Sequence, residues 1–152
     1  MDVYETLKKL GIVLPEPPPK SGLYLPVNEF GGSFLYTSGV GPVKDGKVAY
    51  AGKAGEVSLE HAQAAARLCI LNILSIVDKK TGDLNAIKRV VKMLGFVAST
   101  SDFTKQPLVM NAASELLGEV FGENGRHARS AIGVNVLPED FTVEIELIFE
   151  LK

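Results

Sequence analysis

At 152 residues, with 46% hydrophobic and 22% charged residues, the chain has the length and composition of one globular domain with a sizeable core. A net charge of −2 and a pI of about 5.7 argue against a broad electrostatic surface for nucleic acid, leaving room only for a local basic pocket. One cysteine, Cys69, excludes an internal disulfide and any multi-cysteine zinc site, and its apolar neighbours in ARLCILNIL mark it as a buried thiol.

The opening residues, MDVYETLKKLG, alternate charged and apolar side chains, which is not the pattern of a secretory signal. They predict a short amphipathic helix over residues 2–10, stopped by Gly11. LPEPPPKSG follows, with four prolines in nine residues, and must be an extended connection. The sequence predicts strands at GLYLPV and at Ser33–Gly39, with NEFGG as the turn between them. Asp45-Gly46 is the strongest hairpin signal in the chain.

From Ser58 to about Lys80 the pattern turns helical. Ser58 is a suitable N-cap, Glu60 lies in the first turn and Gly82 is placed to end the helix. Ala62, Ala66, Cys69, Ile70, Ile73 and Val77 form its apolar stripe. The apolar run at Leu68–Val77 is broken by Asn72 and Ser75 and is too short to span a bilayer, so a cytoplasmic protein with no membrane partner is expected.

The β-branched density of AIKRVVKMLGFVAST predicts a central strand. A second helix is expected over about Pro107–Phe121, burying Val109, Ala113, Leu116, Leu117, Val120 and Phe121. The last two strands are expected at about Arg129–Val136 and Phe141–Leu151, joined through LPED. Val143, Ile145, Leu147, Phe149 and Leu151 alternate with polar residues along the final strand. The order of elements predicts an α+β sandwich, with two main helices on one face of a mixed sheet.

Alternation divides the first of these strands into two faces. We assign Ser130, Ile132, Val134 and Val136 to the core face, and Arg129, Ala131, Gly133 and Asn135 to the opposite, flat face, together with Glu144 and Glu146. Such a face would pack against another subunit and leave Arg129 in a cleft. Arg129 then has two readings: a planar fork for a carboxylate, or a solvated strand-end charge paired with a glutamate. His127 likewise has two, an acid or base near neutral pH or a loop residue bonded to backbone. With only His61 besides, no histidine metal site is expected, and no phosphate-loop, dinucleotide or nucleophile-elbow motif occurs.

Several segments together resemble the YjgF/RidA family, also known as the L-PSP endoribonuclease or UK114 family. They are Tyr24 in SGLYLPV, LYTSGVGPV, the GKAGEVSLEHAQAAARLCILNIL helix, VVKMLGFVAST, Asn111 in QPLVMNAASELLGEVFG, and ARSAIGVNVLPEDFTVEIELI. They run in order over nearly the whole chain. The proline-rich lead-in and HARSA look closer to a divergent branch than to archetypal RidA.

The resemblance implies a single chorismate-mutase-like domain over residues 1–152, with residues 1–22 as helix and lead-in, assembled as a homotrimer. It implies an imine/enamine deaminase that hydrolyses 2-imino acids to 2-keto acids and ammonia in an intersubunit cleft, without cofactor or metal. Carried over by position, Arg129 clamps the substrate carboxylate and Glu144 holds or activates water. Tyr24, Ser38, Gly39 and Asn111 line the cleft, and His127 is added as a neighbouring candidate.

The alternatives are a non-catalytic protein that binds keto acids or amino-acid derivatives, and an endoribonuclease or translation inhibitor, which the acidic composition favours less. Where the archetype has Arg-Ser-Cys-Val-Glu, this chain has Arg129-Ser130-Ala131-Ile132-Gly133, which reshapes the cleft. If LPED closes a simple hairpin, Arg129 lies opposite about Ile148 and more than roughly 10 Å from Glu144.

Overall fold

The structure, a computed structural model, describes residues 2–20 and 22–152; Met1 and Ser21, the first residue of SGLYLPV, lie outside the described residues. The first helix, α1 (Val3–Lys9), is capped by the Asp2 carboxylate, which accepts from the Glu5 amide at 3.0 Å. After the extended proline-rich segment come β1 (Val27–Phe30) and β2 (Phe34–Thr37).

This first hairpin sits further along the chain than expected. Gly22–Pro26 is not strand, Asn28-Glu29-Phe30 is strand rather than turn, and the chain reverses at Gly31 and Gly32, both at positive φ. Pro26 has no N–H to give a ladder, and two adjacent glycines take the left-handed conformations the reversal needs. The strands β3 (Val43–Lys44) and β4 (Lys47–Val48) flank Asp45-Gly46 as predicted, with both turn residues at positive φ.

The long helix α2 (Leu59–Thr81) starts at Ser58, whose hydroxyl oxygen accepts from the His61 amide, and ends at left-handed Gly82. All six residues of its predicted stripe are fully buried, Cys69 among them. The strand β5 (Ile87–Ala98) is central, and α3 (Gln106–Phe121) buries the six residues expected of it. A Cβ at Gly95 would run into the Met110 side chain, so this glycine lets α3 lie close on the sheet.

The chain closes with β6 (Ala128–Val134) and β7 (Val143–Leu151). The five-stranded sheet has the order β1-β2-β7-β5-β6, in which β6 runs parallel to β5 and the other pairs are antiparallel. The chain thus forms the expected α+β sandwich, with α2 and α3 over one face of a mixed sheet.

Two expectations about the last strands are corrected. LPED does not close a hairpin: β7 inserts between β2 and β5, while β6 pairs with the other side of β5. Arg129 is therefore level with Met93 and, beyond it, Leu147, not with Ile148.

The two faces of β6 are also the reverse of those assigned. Met93, Gly95 and Val97 face the helices, and their register partners Arg129, Ala131 and Gly133 share that side under α3. Ser130, Ile132 and Val134 belong to the open face, where Ile132 is 44% exposed. Glu144 and Glu146 lie on this open face too, opposite to Arg129, because the alternate residues of β7 are the buried core. Alternation separates two faces but does not say which one is covered, and on this edge strand the branched apolar residues lie on the uncovered side.

Candidate functional site

Arg129 is at the start of β6, beneath the first three turns of α3. Its Nη1 donates to Asn111 Oδ1 at 3.1 Å and to Ser114 Oγ at 3.0 Å, and its Nη2 reaches the Pro107 carbonyl at 3.4 Å. No carboxylate pairs with it among the described residues. The strand-end ion pair considered from sequence is thus not formed, and Asn111 is beside Arg129.

His127 is joined to the same cluster. Its Nδ1 is 2.6 Å from the Gly125 carbonyl and its Nε2 is 3.1 Å from Ser114 Oγ. The carbonyl can only accept, so Nδ1 carries the proton and, in the neutral ring, Nε2 accepts from the Ser114 hydroxyl. Burial pushes His127 below the usual histidine value, and the Arg129 charge pushes the same way against the Gly125 hydrogen bond. His127 is thus bonded to backbone through Nδ1 and to Ser114 through Nε2.

A second group of residues surrounds a half-open cavity of about 460 Å³ at the end of β2, roofed on one side by the proline-rich segment. Tyr24, Ser38, Gly39 and Glu144 all line it, with Phe141 and Ile76 among its apolar walls. Ser38 ties the loop to the strand, its hydroxyl donating to the Leu25 carbonyl at 2.6 Å and its amide to the Pro26 carbonyl at 2.9 Å. Any side chain at Gly39 would collide with the Glu144 carboxylate, so the glycine gives Glu144 its place.

Burial raises the Glu144 carboxyl above the ordinary glutamate value, and the negative charge of Glu146 raises it further. Glu146 itself accepts from the Tyr36 hydroxyl at 3.0 Å. Glu144 is thus a desolvated carboxylate with no cation paired to it among the described residues, and it holds its proton more firmly than an ordinary glutamate.

The two groups do not meet within one chain. Arg129 and Glu144 are two strands and three residues apart, roughly 14 Å between backbones, on opposite faces of the sheet. One chain therefore presents an arginine–asparagine cluster in one place and a carboxylate-lined cavity in another.

Sequence reasoning missed Ser114, although its position three residues after Asn111 puts both on one helix face. It also missed Gln106, whose side chain lies where a Cβ at Gly133 would reach and donates to the Phe103 carbonyl at 2.7 Å. Among the described residues no group of His, Cys, Asp or Glu is gathered in a metal-ligating arrangement, and no helix is long and apolar enough to cross a membrane.

A parallel edge strand carrying an arginine under α3, with a separate cavity at the end of β2 in a mixed sheet, defines a YjgF-like α+β sandwich. The family model described as "YjgF/chorismate_mutase-like, putative endoribonuclease" matches residues 5–151, and the chain belongs to that family. It is 40% identical over 152 residues to Protein TCP17 of Trypanosoma cruzi, covering 99% of this chain and 94% of that protein.

Among solved structures it resembles the protein Atu1372 of Agrobacterium tumefaciens, whose function is given as unknown. The identity is 44%, the TM-score 0.90, and the coverage 99% of this chain and 92% of that one. The YjgF gene product of E. coli is more distant, at 26% identity and a TM-score of 0.64 over 90% of this chain and 94% of that one. The greater likeness to Atu1372 than to YjgF agrees with a divergent branch.

Proposed function

We propose that this protein is an imine/enamine deaminase acting on 2-imino acids in composite sites, each made where two copies meet in a cyclic trimer. The observation that carries the reading is the division of the site. The arginine and asparagine that would take a carboxylate are grouped on one edge of the chain, and the carboxylate that would handle water lines a separate cavity. Docking one copy's Arg129 edge on its neighbour's cavity would join them. The open sheet face supports such self-association, since Leu94, Phe96, Ile132 and Ile148 interrupt its polar residues.

In this site Arg129 binds the carboxylate of the imino acid and holds C2 in position, with Asn111 fixing the guanidinium. Glu144 orients a water and accepts its proton as the oxygen bonds to C2. The C=N π electrons move to nitrogen, which takes up a proton from solvent, giving a carbinolamine. Glu144 then returns its proton to nitrogen. The hydroxyl oxygen gives its proton to solvent as the C–N bond breaks, releasing ammonia and leaving the 2-keto acid. The net change is addition of one water and loss of one ammonia, with no oxidation or reduction.

The direct test is ammonia release from 2-aminoacrylate generated in place by a dehydratase, compared with the buffer rate. A rate above buffer is expected. Stabilisation by a keto acid with no turnover on several imino acids would instead select a keto-acid-binding protein, a role consistent with Gln106 filling the space over Gly133. The acidic chain and the pairing-ready arginine fit a small carboxylate better than an RNA backbone.

The reading also fixes a pH dependence. The active form of Glu144 is the ionised one, so kcat/KM rises with pH through its pKa, and that rise lies above the ordinary glutamate range because of burial and the Glu146 charge. Replacing Glu146 by Gln removes the like charge, and the acid limb is expected to move to lower pH while Glu144 stays in place. An acid limb unmoved by this change would show that another group sets it.

A further inference from the structure

The carboxylate reading of Arg129 leaves open what holds the guanidinium still, and the hydrogen bonds around it supply an answer that rests on that reading. Both hydrogens of Nη1 are committed, one to Asn111 Oδ1 at 3.1 Å and one to Ser114 Oγ at 3.0 Å. Nη2 has only the 3.4 Å contact with Pro107, and Nε has no partner among the described residues. The side edge formed by Nε and Nη2 therefore presents the two parallel donors that match a carboxylate.

Ser114 can hold Nη1 only if its oxygen lone pairs face the arginine, which requires its hydroxyl hydrogen to point elsewhere. His127 Nε2, at 3.1 Å, is the acceptor that takes it. His127 is in turn held in the needed tautomer by the Gly125 carbonyl, 2.6 Å from Nδ1.

We propose that His127 and Ser114 are positioning residues, in a chain of three hydrogen bonds from the Gly125 carbonyl that orients Arg129 so that its Nε–Nη2 edge receives the carboxylate of the substrate. His127 thus acts through Ser114 and not on the substrate. This explains why a serine in the third turn of α3 meets both a histidine in the loop before β6 and one guanidinium nitrogen. Each link satisfies a half-buried polar group while removing a degree of freedom from Arg129.

The test uses the intact protein and 2-oxobutanoate as the anion, with calorimetric affinity and the Arg129 side-chain nitrogen NMR signals as two independent readouts. Ser114→Ala, which favours a helix and leaves no large void, and His127→Leu are each expected to weaken 2-oxobutanoate by about tenfold. His127→Gln, whose amide oxygen can replace the Nε2 acceptor, is expected to stay within about twofold of the parent. In the parent the two Nη signals are expected to be separate, because rotation about the Nε–Cζ bond is hindered; in Ser114→Ala they merge.

Separate Nη signals persisting in Ser114→Ala, or parent-like affinity in both Ser114→Ala and His127→Leu, overturn the positioning proposal. Parent-like affinity in Arg129→Ala instead overturns the carboxylate reading, and the Nη signals still decide whether Ser114 orients the guanidinium.

Discussion

Replacing Arg129 with alanine is expected to lower kcat/KM for imino-acid hydrolysis by about two orders of magnitude or more. A charge-assisted hydrogen bond contributes about 1.5–3 kcal/mol, roughly a factor of 10 to 150, and the Nε–Nη2 edge would make two of them to one carboxylate. The loss goes beyond affinity, because a substrate without its anchor no longer presents C2 to the water held by Glu144. Arg129→Lys is expected to recover only part of the rate. An ammonium can supply the charge, but it cannot form two parallel bonds while also bonding Asn111 and Ser114.

The fold should survive both changes. Arg129 is half-exposed, and water can replace it at the partly buried Asn111 and Ser114, so the loss of stability is expected to be within about 1 kcal/mol. Parent-like kcat/KM in Arg129→Ala, with the oligomer intact, would remove Arg129 from the reaction. A collapse of the oligomer would instead assign the residue to assembly, which size-exclusion chromatography would show.

Much of the architecture was legible because it is written in local periodicity. The stripe Ala62-Ala66-Cys69-Ile70-Ile73-Val77 between Ser58 and Gly82 could be little else than a capped helix on a sheet, and every one of those side chains is fully buried. The strict alternation of β7 likewise identified its buried face. What failed was information that periodicity does not contain.

The Ile132–Val134–Val136 row reads as core because it is apolar. Yet β6 pairs in parallel with β5, and this register puts Arg129, Ala131 and Gly133 under α3. Pairing is decided by the whole sheet, and no local feature of LPED excluded the hairpin that would have placed Arg129 opposite Ile148. Part of the candidate site is named by the resemblance, and its members fall in two places: Asn111 bonds Arg129, while Tyr24, Ser38, Gly39 and Glu144 line a separate cavity. Ser114 was not, because a serine in the middle of a helix gives no signal until the arginine it meets is known.

A site assembled from two copies makes a prediction that a site within one chain cannot. Arg129→Ala and Glu144→Gln should each be nearly inactive alone, yet refolding them together at equal ratio should restore about one quarter of the parent activity. In a closed ring each site draws its Arg129 cluster from one copy and its Glu144 cavity from the next. With random mixing, half of the first positions carry an intact arginine and half of the second an intact glutamate, and these choices are independent. If the arginine and the carboxylate instead served one site within a single chain, every chain in the mixture would lack one of them and no activity would return. The roughly 14 Å between the two backbones, and their opposite faces on one sheet, lead us to expect the restored quarter. Measured ammonia release at the level of the two single variants would refute the composite site. Recovery near a quarter, scaling with the product of the two variant fractions as their ratio is changed, would make the subunit boundary the place where the reaction occurs.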